Sequence, residues 1–77
     1  MNVKVEKTNG KFEKLTIDST KLTLHLYEEY IKKIGPEGEN KRLVYKGQAL
    51  IKTQKLSIYG LKNGAIVNEV IKLDGGV

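Results

Sequence analysis

Apolar and polar residues alternate along the N-terminal part of the chain, with one interruption at Asn9-Gly10. Val3 and Val5 are separated by a polar residue, and the alternation resumes with Leu15 and Ile17. An alternation with a period of two predicts strands, and a break that contains glycine predicts a turn between them. This part of the chain is therefore predicted to form a β-hairpin.

The length of the hairpin loop decides which residues face each other. A two-residue turn would set the apolar residues of one strand opposite polar residues of the other. A three-residue loop with Gly10 in the left-handed conformation sets Val3 opposite Leu15 instead. Because facing residues point to the same side of a sheet, we expect the three-residue loop. This register leaves Phe12 on the outer face and Glu13 on the core face.

A helical period follows the hairpin and continues to Gly35-Pro36. Ser19 or Thr20 is suited to cap the start of a helix, whereas glycine followed by proline ends one. The spacing predicts one helix of about four turns. Its buried stripe is expected to consist of apolar residues four positions apart, Leu22, Leu26, Tyr30 and Ile34.

The remainder of the chain predicts three strands and their connections. In chain order we expect a polar loop at 36–40, a strand at 42–45, a tight turn at Lys46-Gly47, a short strand at 48–50, an irregular connection anchored by Leu56, Ile58 and Leu61, and a last strand at 66–73. A single helix has one stripe to bury and a sheet has one face to cover it. The elements therefore predict a two-layer α+β domain over residues 1–73, with a mixed sheet of four to five strands on one helix.

Length and composition restrict the class of protein. The chain has 77 residues, which corresponds to one domain, and it contains no cysteine and one histidine, His25. Disulfides, thiolate metal sites and cysteine nucleophiles are therefore excluded. A lone histidine is more often a packed or exposed residue than a ligand. We expect neither a metal nor another cofactor.

The charge and the apolar runs bear on partners and location. The net charge is +5, but the basic residues are spread over every segment and few aromatic residues accompany them. We therefore expect no nucleic-acid binding. The sequence shows no signal peptide and no apolar run of about 20 residues. We expect a monomeric cytoplasmic protein, present also in the nucleus if its source is eukaryotic, with no membrane contact.

Particular residues carry a family resemblance. The block from Lys41 to Leu50, the run from Leu56 to Gly60 and the pair Gly75-Gly76 stand at characteristic distances from one another. With these residues the chain resembles ubiquitin and its relatives over almost its whole length. The resemblance implies the β-grasp fold and the role of a protein modifier, which is not itself an enzyme.

The resemblance gives the C-terminal residues their implied roles. In the family, the carboxylate of the second glycine is adenylated, passed to cysteine thiols as a thioester and joined to a lysine amine. It implies conjugation through Gly76 after a protease has removed Val77, and a flexible tail at 74–77. Its implied partners are activating and conjugating enzymes, that tail-processing protease, ubiquitin-binding-type domains and the modified target proteins. Contacts with the activating enzyme would come from Lys72, Leu73, Asp74 and Gly75.

A second implied site lies on the sheet. Strand parity sends Val44 and Val70 outward, with Arg42 on the same face. The resemblance implies a partner-binding patch of Thr8, Arg42, Val44 and Val70, in which threonine makes the patch smaller and more polar than in ubiquitin.

Three further roles concern side chains outside this patch. Lys11 and Lys33 match acceptor lysines of ubiquitin chains, and the Tyr59 hydroxyl is implied to donate to a loop backbone. Glu13 and Glu69 both lie on the core face. Each must reach a lysine or the rim, because burying an unpaired carboxylate costs several kcal/mol.

Two other functions fit the same residues. The chain could be a non-covalent ubiquitin-like interaction domain, in which the last glycines are only a linker. It could also be a β-grasp sulfur carrier, which ends in Gly-Gly as well but usually lacks the block from Lys41 to Leu50.

Overall fold

A computed structural model of the protein describes residues 1–71. The predicted tail at 74–77 and the last two residues of the predicted final strand, Lys72 and Leu73, lie outside the described residues. The elements in chain order are β1 (Asn2–Glu6), β2 (Phe12–Thr16), α1 (Thr23–Ile34), a 3₁₀ helix (Pro36–Asn40), β3 (Lys41–Tyr45), β4 (Gln48–Ala49), a second 3₁₀ helix (Leu56–Tyr59) and β5 (Ala65–Ile71).

The five strands form one mixed sheet in the order β2-β1-β5-β3-β4. Strand β1 runs parallel to β5, and the other neighbours are antiparallel. The predicted β-grasp architecture, one helix against a mixed sheet, is confirmed. Its core consists of the buried residues Val3, Val5, Leu15, Ile17, Leu26, Tyr27, Tyr30, Leu43, Leu50, Leu56, Tyr59, Leu61 and Val67.

The hairpin has the predicted register. Val3 pairs with Leu15, and Gly10 has a φ of 86°, which is the left-handed conformation that the three-residue loop requires. Glu13 lies on the core side at the edge of the sheet. Its carboxylate is 3.3 Å from the Lys7 ammonium, so the expectation that this carboxylate reaches a lysine is confirmed.

The predicted start of the helix is wrong. Neither Ser19 nor Thr20 caps it, since α1 begins at Thr23. The Asp18 carboxylate instead accepts hydrogen bonds from the Thr20 backbone N–H at 2.9 Å and hydroxyl at 2.7 Å. These bonds lower the pKa of Asp18. The polar residues before the helix therefore form a turn, because a short acidic side chain competes locally for backbone donors.

Backbone carbonyls from a distant segment take over the role of the helix cap. The N–H of Thr23 donates to the Gln54 carbonyl at 2.8 Å, and that of Leu24 donates to the Lys52 carbonyl at 3.1 Å. Two of the donors that a helix start leaves free are thereby satisfied. Leu22 is extended at this junction and exposed, so its predicted place in the buried stripe is also wrong. The end of the helix at Gly35 is as predicted.

Two connections differ from their predicted form. The segment predicted as a polar loop is the 3₁₀ helix Pro36–Asn40, in which Gly38 is buried. A Cβ there would lie 3.1 Å from Ile31 and 3.2 Å from Ile34, so only glycine fits without displacing them. In the second 3₁₀ helix, Ile58 is exposed. The prediction that it helps to anchor this connection is wrong, because the tight turn directs Leu56 and Tyr59 inward instead.

The hydroxyl of Tyr27 joins the helix to the sheet. It accepts a hydrogen bond from the Leu43 N–H at 3.0 Å and donates one to the Leu50 carbonyl at 2.9 Å. The Leu50 N–H also donates to the Leu43 carbonyl. In a regular antiparallel pair the Leu43 N–H would donate directly to the Leu50 carbonyl, but here the Tyr27 hydroxyl lies between these two groups and bridges them. Burial raises the pKa of Tyr27. The neutral Tyr27 hydroxyl therefore stabilises the fold fully at pH values below the ordinary pKa of tyrosine. This stabilisation is lost as the pH rises from there through the raised pKa.

We expect Tyr27→Phe to lower the free energy of unfolding by about 1–3 kcal/mol, because it leaves a buried N–H and a buried carbonyl without a partner. Urea denaturation of the two proteins measures the difference. Tyr45→Phe is the matched control, since it removes the hydroxyl of a half-buried tyrosine at the end of β3. Equal stability of Tyr27→Phe and wild type would show that the bridging hydroxyl contributes nothing net.

Candidate protein-binding surface

The outer face of the sheet is the face that α1 does not cover. Leu43 and Val67 are buried beneath it, whereas their neighbours Val44 and Asn68 point away from the core. Val44 and Asn68 are register partners across β3 and β5. This alternation is the reason that one strand contributes both to the core and to a surface.

The implied partner-binding patch of Thr8, Arg42, Val44 and Val70 is called the outer patch. Three of its four residues lie together on this face. Arg42 and Val70 are register partners, and Val44 lies two residues beyond Arg42 on β3. Arg42 and Val70 are exposed and Val44 is half-buried. Thr8 is exposed in the loop between β1 and β2. The geometry therefore supplies a small apolar centre with a guanidinium beside it, as in interfaces that have an apolar core and a polar rim.

Two large apolar residues on the same face were not assigned to the patch by sequence reasoning. Phe12 and Ile66 are both exposed, and they lie on β2 and β5 respectively. The sequence signal was available for Phe12, because the register of the hairpin sends it outward. In the strand register, Glu6 and Asn68 lie between Phe12 and Val44, so this aromatic residue is exposed separately near the edge of the sheet.

A buried ionic network lies directly beneath the patch. Glu69, the residue before Val70, is 6% exposed. The Tyr30 hydroxyl donates a hydrogen bond to its carboxylate, and the Lys41 ammonium is 3.6 Å from the other oxygen. The expectation that this carboxylate reaches a lysine is confirmed. The network ties β5 to both the helix and β3, and thus fixes the strands that carry Val70 and Arg42.

The two lysines implied as chain acceptors are exposed. Lys11 ends the hairpin loop, and Lys33 lies in the last turn of α1. The residues predicted to contact the activating enzyme, Lys72, Leu73, Asp74 and Gly75, lie outside the described residues, as do Gly76 and Val77, which are predicted for conjugation and processing.

The direction of the implied Tyr59 hydrogen bond is wrong. The hydroxyl accepts a bond from the Ile51 N–H at 2.8 Å, whereas it was expected to donate to a loop backbone. The role is nevertheless structural, because the bond holds the segment after β4 against the second 3₁₀ helix.

Metal and membrane sites were also considered. Within residues 1–71 no group of three His, Asp or Glu side chains could hold a metal ion. No helix in that part of the chain is long and apolar enough to span a bilayer.

The chain is similar to a known protein family. A model described as the ubiquitin family matches residues 1–74. A search of curated proteins finds no match. The family match covers every element of the fold and all four residues of the outer patch.

We expect Lys41→Met to lower the free energy of unfolding by about 2 kcal/mol, because it leaves the buried Glu69 carboxylate without its cation. In a Glu69→Gln background the same change should cost little, since the amide is neutral and still accepts the Tyr30 hydrogen bond. Urea denaturation of the four proteins gives the coupling. Lys4→Met, which removes an exposed lysine of β1, controls for net charge. Equal costs in both backgrounds would contradict the pairing.

Proposed function

The chain belongs to the ubiquitin family, and on this basis we propose that it is a protein modifier. In this proposal the bond between Gly76 and Val77 is cleaved, and the Gly76 carboxylate is then joined to lysine amines of target proteins. The observation that carries the proposal is that the family match ends at residue 74 and Gly75-Gly76 follow at once. Two residues without a Cβ suit a narrow enzyme channel that excludes side chains.

The chemistry requires one group from this chain, the carboxylate of Gly76. Adenylation makes that carboxylate an acyl donor, a cysteine thiol of the activating enzyme then displaces the nucleotide, and a lysine amine finally displaces a thiol to form the isopeptide bond. The catalytic side chains belong to the activating and conjugating enzymes. The proposal therefore needs no nucleophile, metal or cofactor in this chain.

The outer patch would serve non-covalent recognition of the conjugated protein. Val44 and Val70 give a small apolar contact, and Arg42 beside them favours carboxylates on the partner. A small contact with a charged rim suits weak, transient binding by ubiquitin-binding-type domains. Exposure of Lys11 and Lys33 supports their use as acceptors if chains of this protein form.

A non-covalent interaction domain is the second candidate, and Asp74 is the observation that favours it. Ubiquitin, which the chain resembles, has an arginine where this chain has Asp74. The aspartate therefore reverses the charge of the tail beside Leu73. Like charges opposed across an interface slow association and weaken binding. If standard activating enzymes do not accept this tail, the outer patch alone would carry the function.

We expect a ubiquitin-family protease to cleave after Gly76, and the product to form a thioester with its activating enzyme when ATP is present. Intact mass detects the loss of Val77, and a thiol-sensitive adduct detects the thioester. Gly76→Ala is the control, since its added Cβ should block both steps. Retention of Val77 in the native cell would contradict the modifier proposal. A thiocarboxylate at Gly76 would indicate a sulfur carrier instead.

We expect Val44→Ala to weaken binding to a ubiquitin-binding domain by about fivefold, because truncation at the centre of an interface often costs about 1 kcal/mol. Its stability should fall only slightly, whereas Val67→Ala, which truncates a fully buried valine, should lose about 2 kcal/mol. NMR titration measures the affinity and urea denaturation the stability. Unchanged affinity of Val44→Ala would mean that the patch is ordinary surface.

A further inference from the structure

Leu22, predicted in the buried stripe of the helix, and Ile58, predicted to anchor a connection, are both exposed. Their exposed fractions are 46% and 59%, and two further aliphatic residues nearby, Leu24 and Ile51, are 42% and 55% exposed. Single apolar residues on a surface are ordinary, but several in one region mark a contact surface. Together these four residues are called the helix-start surface.

Backbone hydrogen bonds bring the four residues into one region. The segment that leads into α1 lies against the segment that follows β4, since Leu22 forms an isolated bridge with Lys55. The Leu24 N–H donates to the Lys52 carbonyl at 3.1 Å, and the Leu56 N–H donates to the Lys21 carbonyl at 3.0 Å. Ile51 and Ile58 flank this second segment. The helix-start surface is therefore assembled from parts of the chain that are far apart in sequence.

The hydrogen bonds also fix how these side chains are presented. The Ile51 N–H donates to the Tyr59 hydroxyl at 2.8 Å, and the Leu24 N–H donates to the Lys52 carbonyl at the start of α1. The four aliphatic side chains are therefore exposed to solvent on segments whose backbone is fixed by hydrogen bonds. A pre-organised apolar surface binds a partner with little loss of conformational entropy.

Basic side chains predominate around the helix-start surface, although the carboxylates of Asp18 and Glu28 lie within two residues of its first segment. Residues 19–26 and 50–60 contain three lysines and no aspartate or glutamate. These lysines, Lys21, Lys52 and Lys55, are all exposed. An apolar centre with a mainly cationic rim is complementary to a segment that carries aliphatic residues between carboxylates.

A groove adjoins the helix-start surface at Ile51. Its volume is about 480 Å³. Ile51 and Lys52 line it together with the buried residues Tyr27 and Leu50, and its charged lining also includes Lys41, Arg42 and one carboxylate, that of Glu39. The Lys52 ammonium lies 4.9 Å from the centre of the Tyr27 ring. The groove has room for an aliphatic side chain, and the lysine at its margin would meet a neighbouring carboxylate.

We propose that the helix-start surface docks an acidic amphipathic segment of a partner protein. A second copy of this chain fits poorly, because a two-fold contact would set the three lysines of one copy against those of the other. A membrane fits less well than a protein, since segments that bind at the bilayer interface present one continuous apolar helix face, whereas these four residues come from the start of α1 and from two connections. The proposal goes beyond the modifier function, as it does not use the tail, and of the outer patch only Arg42 borders the groove.

The test is NMR titration of the full ¹⁵N-labelled chain with a synthetic helical peptide of leucine and glutamate that has one apolar face. We expect the largest shifts at the amides of residues 21–25 and 51–58. Ile58→Ser and Leu24→Ser should each weaken binding by about fivefold. Ile66→Ser is the matched control, because this isoleucine is 48% exposed on the outer face, and it should bind as wild type does. A peptide with lysine in place of glutamate should not bind.

Each other outcome overturns the proposal. Shifts centred on Val44 and Val70 would place the peptide on the outer patch. Binding only to vesicles that contain phosphatidylserine would assign the surface to a membrane, and association of the chain with itself in sedimentation would assign it to a second copy. The amide spectrum of each variant reports whether it folds, and Ile58→Ser keeps the test valid if Leu24→Ser does not. Failure of thioester formation at Gly76 would leave this result unaffected.

Discussion

The contact between one helix and the sheet is the constraint on which the rest of this structure depends. Helix α1 buries two tyrosines, and each hydroxyl finds a partner on a different strand: Tyr27 between Leu43 and Leu50, and Tyr30 on Glu69. Buried hydroxyls are costly unless they are hydrogen-bonded, so these bonds restrict the rotation and position of the helix. The positions of β3 and β5, and thus of the outer patch, depend on this contact.

The Glu69 carboxylate shows how core and surface are linked. It lies within the sheet, one residue before Val70, and its neutralisation by Lys41 draws β3 and β5 together from the core side. Arg42 and Val70, the register partners on the outer face, are next to these two residues in sequence. An ion pair that is buried in this way is weak evidence of stability, but it specifies which strands lie side by side.

The domain presents apolar contacts on two distinct regions. The outer patch comes from strand alternation, whereas the helix-start surface comes from the way the chain enters α1. If the proposed tail chemistry attaches this protein to a target, the two regions would let the conjugate bind two kinds of partner, and both carry basic side chains that favour acidic ones. Such contacts are weak singly and gain from being linked on one chain.

The sequence by itself determined the hairpin register, the outward direction of Val44 and the need of Glu13 and Glu69 to reach a lysine or the rim, because each follows from a period of two and the cost of burying charge. Only the tertiary structure decided where α1 begins. Local capping residues were present, yet carbonyls of Lys52 and Gln54 supply the cap. The same contact left Leu22 exposed, and a 3₁₀ turn exposed Ile58. A sequence pattern reports local periodicity, whereas these outcomes depend on which distant backbone groups lie against the helix start.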